Sequence, residues 1–157
     1  MPNLLIMRHG EAAHHEDDFA RPLSEKGRKD VSDIAEKIKM WEIGRAIIIS
    51  SNSVRTKETT SILLEKLSDY SVQVSFKEDG YNAPAEVWLN HLERVNTPEF
   101  STCIIVGHNP GVTELVNKLS GTTINMPPAT CVKLNLFIND WNEISDGIGD
   151  VFLVCTP

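Results

Sequence analysis

The sequence predicts an α/β fold: a three-layer αβα sandwich on a mainly parallel sheet, with an antiparallel hairpin at the C-terminal end. Three observations carry this expectation. Short, fully apolar runs alternate with segments of helical periodicity along the chain, and strands buried on both faces belong to parallel sheets covered by helices. The last two runs are joined through Asn139, Asp140, Trp141, Asn142 and the glycines Gly147 and Gly149, a composition suited to a hairpin connection. The 157 residues are one domain's worth. A chain of this size buries about 68–70% of its extended surface, enough to hold a core without metal or disulfides. No repeat, low-complexity tract or linker interrupts it, so residues 1–157 are expected to form a single domain.

Leu4 to Met7 is the first strand. From Ser24 to about Met40 the chain reads as a helix, because Val31, Ile34, Ala35, Ile38 and Trp41 share one face at a period of 3.6. Ala46 to Ile49 is a β-branched strand. Ser53 is an N-cap for a helix reaching Leu67, with Ile62, Leu63 and Leu67 on its apolar side. Val72 to Phe76 alternates, as expected of a strand near the sheet edge. Pro84 to Val95 follows as a helix with Trp88, Leu92 and Val95 inward, and Cys103 to Val106 as a buried strand. Asn109 as N-cap and Pro110 at the first helical position open a helix that buries Val112, Leu115, Val116 and Leu119. Val132, Leu134 and Leu136 alternate, and Asp150 to Cys155 supplies the last strand.

Charge and composition narrow the function. Fifteen Lys and Arg stand against twenty-two Asp and Glu, a net charge of −7, and no basic cluster matches a run of phosphates, so nucleic acid and anionic membrane are excluded as partners. Residues 1–80 carry 12 basic and 14 acidic groups, residues 81–157 only 3 and 8. An anion site therefore draws its arginines from the first half. No run reaches the roughly 18 apolar residues of a membrane span. Arg8, His9 and Gly10 cut short the N-terminal apolar run, which argues against a secretory signal and for a cytoplasmic protein. Cys103, Cys131 and Cys155 lack metal-like spacing and lie in or beside strand-like runs; they read as small buried hydrophobes.

Ligands of open α/β sheets sit beyond the carboxyl ends of the strands. Three such ends carry unusual groups: Arg8-His9-Gly10-Glu11 after the first strand, Ser50 to Arg55 after the second, and Gly107-His108-Asn109-Pro110 after the buried fourth. In a parallel sheet, two arginines and two histidines converge on one rim. An arginine in the first turn of a helix is electrostatically out of place, since that end prefers anions, unless it and the free N–H groups face a bound anion. Taken singly, Arg8 also fits a structural ion pair, and His9 and His108 fit hydrogen-bonded core residues. Together the four point to a phosphate or carboxylate site.

Arg8-His9-Gly10 directly after an N-terminal strand resembles the signature of the histidine phosphatase superfamily, whose fold is phosphoglycerate-mutase-like. Asp18-Phe19-Ala20-Arg21-Pro22-Leu23-Ser24, closed by Gly27, resembles that family's Arg-Pro-Leu-Ser/Thr-x-x-Gly stretch. Residues Ser51 to Thr59 resemble its Ser-Pro-x-x-Arg-Ala-x-Gln-Thr, with Asn52, Thr56 and Glu58 in place of proline, alanine and glutamine. Val106 to Gly111 resembles the second-histidine motif, and Met126-Pro127-Pro128-Ala129-Thr130 resembles a late segment of the small SixA-type phosphohistidine phosphatases.

The resemblance implies a phosphatase working through a covalent phosphohistidine, without metal or cofactor. His9 is the implied nucleophile, and Arg8, Arg55 and His108 the implied cradle for the phosphoryl oxygens. Gly10 is expected to let the backbone approach the phosphoryl group. Asn109 is expected among the substrate-binding residues, and Arg21 at the pocket rim unless it pairs with Asp17 or Asp18. Glu78, or alternatively Asp79, is the expected general acid, although both also fit as solvated loop charges. Residues His14 to Asp18 are expected to form a solvated, mobile loop at the entrance rather than a metal site. The connection from Phe76 to Thr102 holds one helix and loops, so no large cap insertion roofs the site. That favours a phosphohistidine on a partner protein, such as a phosphorelay or phosphotransfer domain. The alternative is a sugar phosphate or other small phosphomonoester; a mutase or a non-catalytic phosphate-binding module is a lesser reading.

Overall fold

In the computed structural model, which describes residues 2–96 and 98–157, six strands make one sheet: β1 (Asn3–Arg8), β2 (Ala46–Ser51), β3 (Val72–Lys77), β4 (Thr102–Gly107), β5 (Cys131–Leu136) and β6 (Gly149–Cys155). Their order is β3-β2-β4-β1-β5-β6. The first four strands in that order run parallel, and β5 is antiparallel to both β1 and β6. The alternating segment Val72–Lys77 is the edge strand its pattern implies.

Alternation along the central strands builds two cores. Leu5, Met7, Ile48, Ile104 and Val106 face helices α1 (Glu25–Lys39) and α2 (Val54–Lys66), meeting Val31, Ile34, Ile38 and Leu63. Leu4, Ile6, Cys103 and Ile105 face α3 (Ala85–Leu92) and α4 (Gly111–Ser120), meeting Trp88, Leu92, Val112 and Leu115. Both faces of β4 are therefore sealed, and all six of its residues are buried. The cysteines are free and buried as expected, and burial pushes the thiols of Cys103 and Cys131 upward.

The helix starts follow their capping residues. Ser24 accepts from the amide of Gly27, and Ser53 from that of Thr56. Two sequence expectations need correction. Trp41 lies beyond α1, which ends at Lys39; the ring still packs half-buried on the same core. Helix α4 begins at Gly111, with a cis Asn109–Pro110 peptide before it, and Asn109 is not its N-cap. The Asn109 side chain is engaged elsewhere: its oxygen accepts from Thr113 Oγ1 at 2.7 Å, and its amide donates to the Met126 carbonyl at 3.0 Å.

Register places the functional rim. Arg8 stands opposite Gly107 across the β1–β4 pair, and Ser50 opposite Val106 across the β2–β4 pair. The residues that follow β1, β2 and β4 thus emerge side by side.

Candidate active site

His9 leaves the end of β1 with its amide bonded to the Gly107 carbonyl, 3.1 Å away, and its side chain is only 7% exposed. The two ring nitrogens have different partners. Nδ1 lies 2.7 Å from the Gly10 carbonyl, an acceptor, so it carries the proton. Nε2 then holds a lone pair and accepts from Arg55 Nε at 3.2 Å. Burial is the main cause that pushes the His9 pKa down, to about 4; the Gly10 carbonyl opposes this, and the charges of Arg55, Arg8 and Arg21 add to it. The imidazole is neutral at pH 7, and its Nε2 lone pair is the one that Arg55 Nε engages.

Gly10 packs this arrangement against α1. A Cβ there would stand 2.7 Å from Val31 Cγ2 and 2.9 Å from the Gly27 carbonyl oxygen, both on α1. The glycine lets the chain leaving β1 pack on α1, and its amide donates to Thr59 Oγ1 at 3.1 Å. It is not among the residues that line the cavity.

Arg55, in the first turn of α2, is 4% exposed. Besides His9 it donates from Nη1 to the Asp18 carbonyl at 2.7 Å and from Nη2 to Asp18 Oδ2 at 3.2 Å. Tyr81 donates its hydroxyl to the same Oδ2. Arg8 donates from Nη1 to the Met126 carbonyl at 3.0 Å, while its Nε is buried without a partner. Burial, and then the charge of Arg55, lowers the Arg8 pKa. His108 follows β4 and meets Ser51 Oγ through Nε2 at 2.8 Å, leaving a buried Nδ1 without a partner. Its pKa falls to about 3, chiefly through burial and then through His9 and Arg55. The rings of His9 and His108 lie 5.2 Å apart.

These groups surround a pocket of about 250 Å³ lined by Arg8, His9, Arg21, Arg55, His108 and Asn109 together with Glu11, Ala12, Asn82 and Pro128. Six of the residues expected from sequence thus meet at one cavity. Arg21 combines its two alternative readings: it lines the pocket and also pairs with Asp18 at 3.5 Å. Glu78 and Asp79 are not brought to the cavity. Asp79 is exposed and bonded to His91 Nε2 at 2.8 Å, and Glu78 is exposed in a short 3-10 helix, Glu78–Gly80. A larger groove of about 670 Å³ runs beside α4, past Glu86, Glu114 and Asp146, but its one cation, Lys118, is paired to Glu86 and Asp146.

Sequence reasoning missed several groups at the site. Asp18 belongs to a segment expected to be a free solvated loop; instead it forms a 3-10 helix, Asp18–Ala20, against Arg55. Tyr81, Ser51 and the Met126 carbonyl gave no signal, although Ser51 and Met126 lie inside motifs that were quoted. The departures at Thr56 and Glu58 are structural. The Thr56 hydroxyl bonds to the Ser51 and Ser53 carbonyls. Glu58 accepts from the Leu23 amide and from Arg28 Nη2, each at 2.8 Å, so its charge is paired with α1 and its other oxygen holds the Arg21–Ser24 segment.

No group of three or more His, Cys, Asp or Glu side chains among the described residues could hold a metal ion. No helix among them is long and apolar enough to cross a membrane.

Residues 4–79 match the family model described as histidine phosphatase superfamily (branch 1). The chain is 28% identical over 150 residues to an uncharacterized chloroplastic protein of Arabidopsis thaliana, covering 89% of this chain and 69% of that protein. Its structure is similar to that of a candidate phosphohistidine phosphatase SixA from Nakamurella multipartitia, with a TM-score of 0.86, 19% identity and coverage of 99% and 96% of the two chains. It is also similar to the protein histidine phosphatase SixA in complex with tungstate, with a TM-score of 0.79, 20% identity and coverage of 98% and 96%.

Proposed function

This chain has the fold of the histidine phosphatase superfamily, closely matching the SixA type, and on that premise we propose that it is a phosphatase that removes phosphate from phosphohistidine on a partner protein. The observation that carries the reading is the lone pair on His9 Nε2, at a cavity lined by Arg8, Arg21, Arg55 and His108. A buried, neutral nucleophile among guanidinium groups suits an electrophile that is itself an anion.

The chemistry proceeds in two displacements. His9 Nε2 gives its electron pair to phosphorus, forming an N–P bond as the bond to the partner's imidazole breaks. That imidazole takes the bonding pair and leaves neutral when its other nitrogen carries a proton, so no acid from this chain is required. Arg8 and Arg55 hold the equatorial oxygens throughout, with His108 beside them. Water then attacks the phosphorus on His9, returning the pair to Nε2 and releasing inorganic phosphate. The His9 Nδ1–H bond to the Gly10 carbonyl stabilises the positive charge that the ring gains on phosphorylation.

Two features support a protein-borne substrate. Between β3 and β4 the described residues form the 3-10 helix Glu78–Gly80 and α3 and no other helix or strand, a short connection that suits an open site. Neither Glu78 nor Asp79 lines the cavity, and its one carboxylate among the described residues, Glu11, accepts from Ser24 Oγ at 3.2 Å. The reading also agrees with its likeness to a candidate phosphohistidine phosphatase SixA and to a protein histidine phosphatase SixA.

The deciding experiment offers the native chain and His9→Ala a phosphohistidine-bearing phosphotransfer domain and a panel of sugar phosphates. The native chain is expected to prefer the phosphoprotein in kcat/KM and to carry acid-labile phosphate on His9 during turnover. A sugar phosphate preferred by orders of magnitude, or unchanged turnover in His9→Ala, overturns the reading.

A further inference from the structure

Arg55 is the most deeply buried of the arginines at the site, and it is held by a residue from a distant loop. Its Nε donates to His9, its Nη1 to the Asp18 carbonyl and its Nη2 to the Asp18 carboxylate. A guanidinium 4% exposed, beside Arg8 and Arg21, needs a counter-charge to stay in place. Asp18 is the only carboxylate that the described residues pair with it. The Asp18 carboxylate is half exposed and does not line the cavity.

Asp18 is in turn held by Tyr81. The phenol donates to Asp18 Oδ2, and that bond is the largest cause that lowers the Asp18 pKa. The Tyr81 ring also stacks edge-on against Phe19 at 5.1 Å and against His108 at 5.4 Å, with the Arg55 guanidinium 5.9 Å from its centre. Two loops, one from each side of the rim, thus meet over Arg55.

We propose that Asp18, locked by the Tyr81 hydroxyl, is the positioning residue that aims Arg55 Nε at His9 Nε2. This hydrogen bond fixes the direction of the His9 Nε2 lone pair. When a phosphoryl group arrives, Arg55 Nε–H passes to an equatorial oxygen while Nη1 and Nη2 stay on Asp18. The guanidinium then turns without leaving its seat, and little reorganisation accompanies attack. The functional part of this inference rests on the phosphatase reading; the geometric part does not.

The test uses Asp18→Asn, Tyr81→Phe and the double variant. Asp18→Asn keeps the backbone carbonyl on Nη1 and removes the charge. Misplacing one catalytic group can cost about 100-fold, and the expected loss is about 10- to 100-fold in kcat, with KM within about threefold. Tyr81→Phe is expected to lose about threefold to tenfold. The double variant is expected to be no slower than Asp18→Asn alone, because Tyr81 acts through Asp18. Independently of turnover, the Arg55 Nε–H proton resonance is expected to be sharp and downfield in the native chain, and exchange-broadened in both single variants.

Unchanged kcat in Asp18→Asn with an unchanged Arg55 resonance overturns the proposal, as does full additivity in the double variant. Should Asp18→Asn fail to fold, Tyr81→Phe alone decides by the same two readouts. If the native chain hydrolyses no phosphorylated substrate, the phosphatase reading fails, and the resonance still decides whether Asp18 positions Arg55.

Discussion

Arg55 Nε donates to His9 Nε2 across 3.2 Å, while His9 Nδ1 faces the Gly10 carbonyl at 2.7 Å. The two contacts fix one tautomer, with the proton on Nδ1 and the lone pair on Nε2. Phosphate captured on the chain is therefore expected on Nε2 of His9. Phosphorus–proton correlation spectra of the trapped intermediate distinguish the two ring positions. Phosphate on Nδ1, or on another residue, contradicts the assignment of the nucleophile.

The pKa depressions of His9 and His108 predict a pH response. Both rings are held neutral in the fold, with values of about 4 and about 3 against an ordinary 6.5. Between pH 6.5 and 4 the unfolded chain binds more protons than the native one, so acidification draws the equilibrium toward unfolding. The contribution of these rings to stability is complete above pH 6.5 and falls as the pH drops toward 4. Carbon-edited NMR should show the His9 and His108 Cε1 signals unmoved between pH 7 and 5, while the denaturation midpoint declines over the same range. A titration of His9 near 6.5 rules this out.

Gly10→Ala tests whether the glycine serves packing. Its new Cβ meets the Gly27 carbonyl oxygen at 2.9 Å and Val31 Cγ2 at 2.7 Å, and the backbone atom cannot swing aside. Overpacking of this kind costs about 1–3 kcal/mol. Thermal unfolding should read that loss. Phosphate or tungstate affinity, measured by calorimetry on the folded fraction, should change by no more than about threefold.

Glu58 ties α2 to the segment before α1 through the Leu23 amide and to α1 through Arg28. Glu58→Ala removes both bonds and leaves a half-buried amide short of its acceptor, a loss of about 1–2 kcal/mol. Glu58→Gln keeps an oxygen for Leu23 and gives up the partly exposed ion pair, so its loss is expected below about 1 kcal/mol. Denaturant titrations of the two variants test the order. Equal losses would assign the effect to the ion pair.

The variant Glu78→Gln, Asp79→Asn tests the carboxylates expected from sequence to act as acid. Neither lines the cavity, and Asp79 is bonded to His91. Turnover of a phosphohistidine protein is expected to change by less than about threefold, against the 100-fold or more that follows loss of a general acid. A loss of that larger size restores Glu78 or Asp79 to the mechanism.

The sequence by itself determined the skeleton and the reactive rim. Apolar runs ending at Met7, Ile49 and Val106 made strands, and Ser24 and Ser53 capped α1 and α2 where their patterns began. A parallel sheet then had to bring Arg8, His9, Arg55 and His108 to one edge, since every such strand ends on the same side. These are local signals: periodicity, capping chemistry and strand direction repeat within a few residues.

Only the tertiary structure decided how the rim is held. Asp18 reaches Arg55 across 37 positions of sequence, Tyr81 reaches Asp18 across 63, and Glu58 reaches Leu23 across 35. A buried guanidinium requires a carboxylate, and this chain offers twenty-two. Which one arrives depends on the path of the loops, which carry no periodic pattern. The same holds for Gly10, where the neighbouring α1 leaves no room for a side chain. Glu78 and Asp79 follow β3 at the spacing of a general acid, yet neither lines the cavity, and Asp79 bonds to His91 across 12 positions of sequence, a partner that strand and helix patterns do not specify.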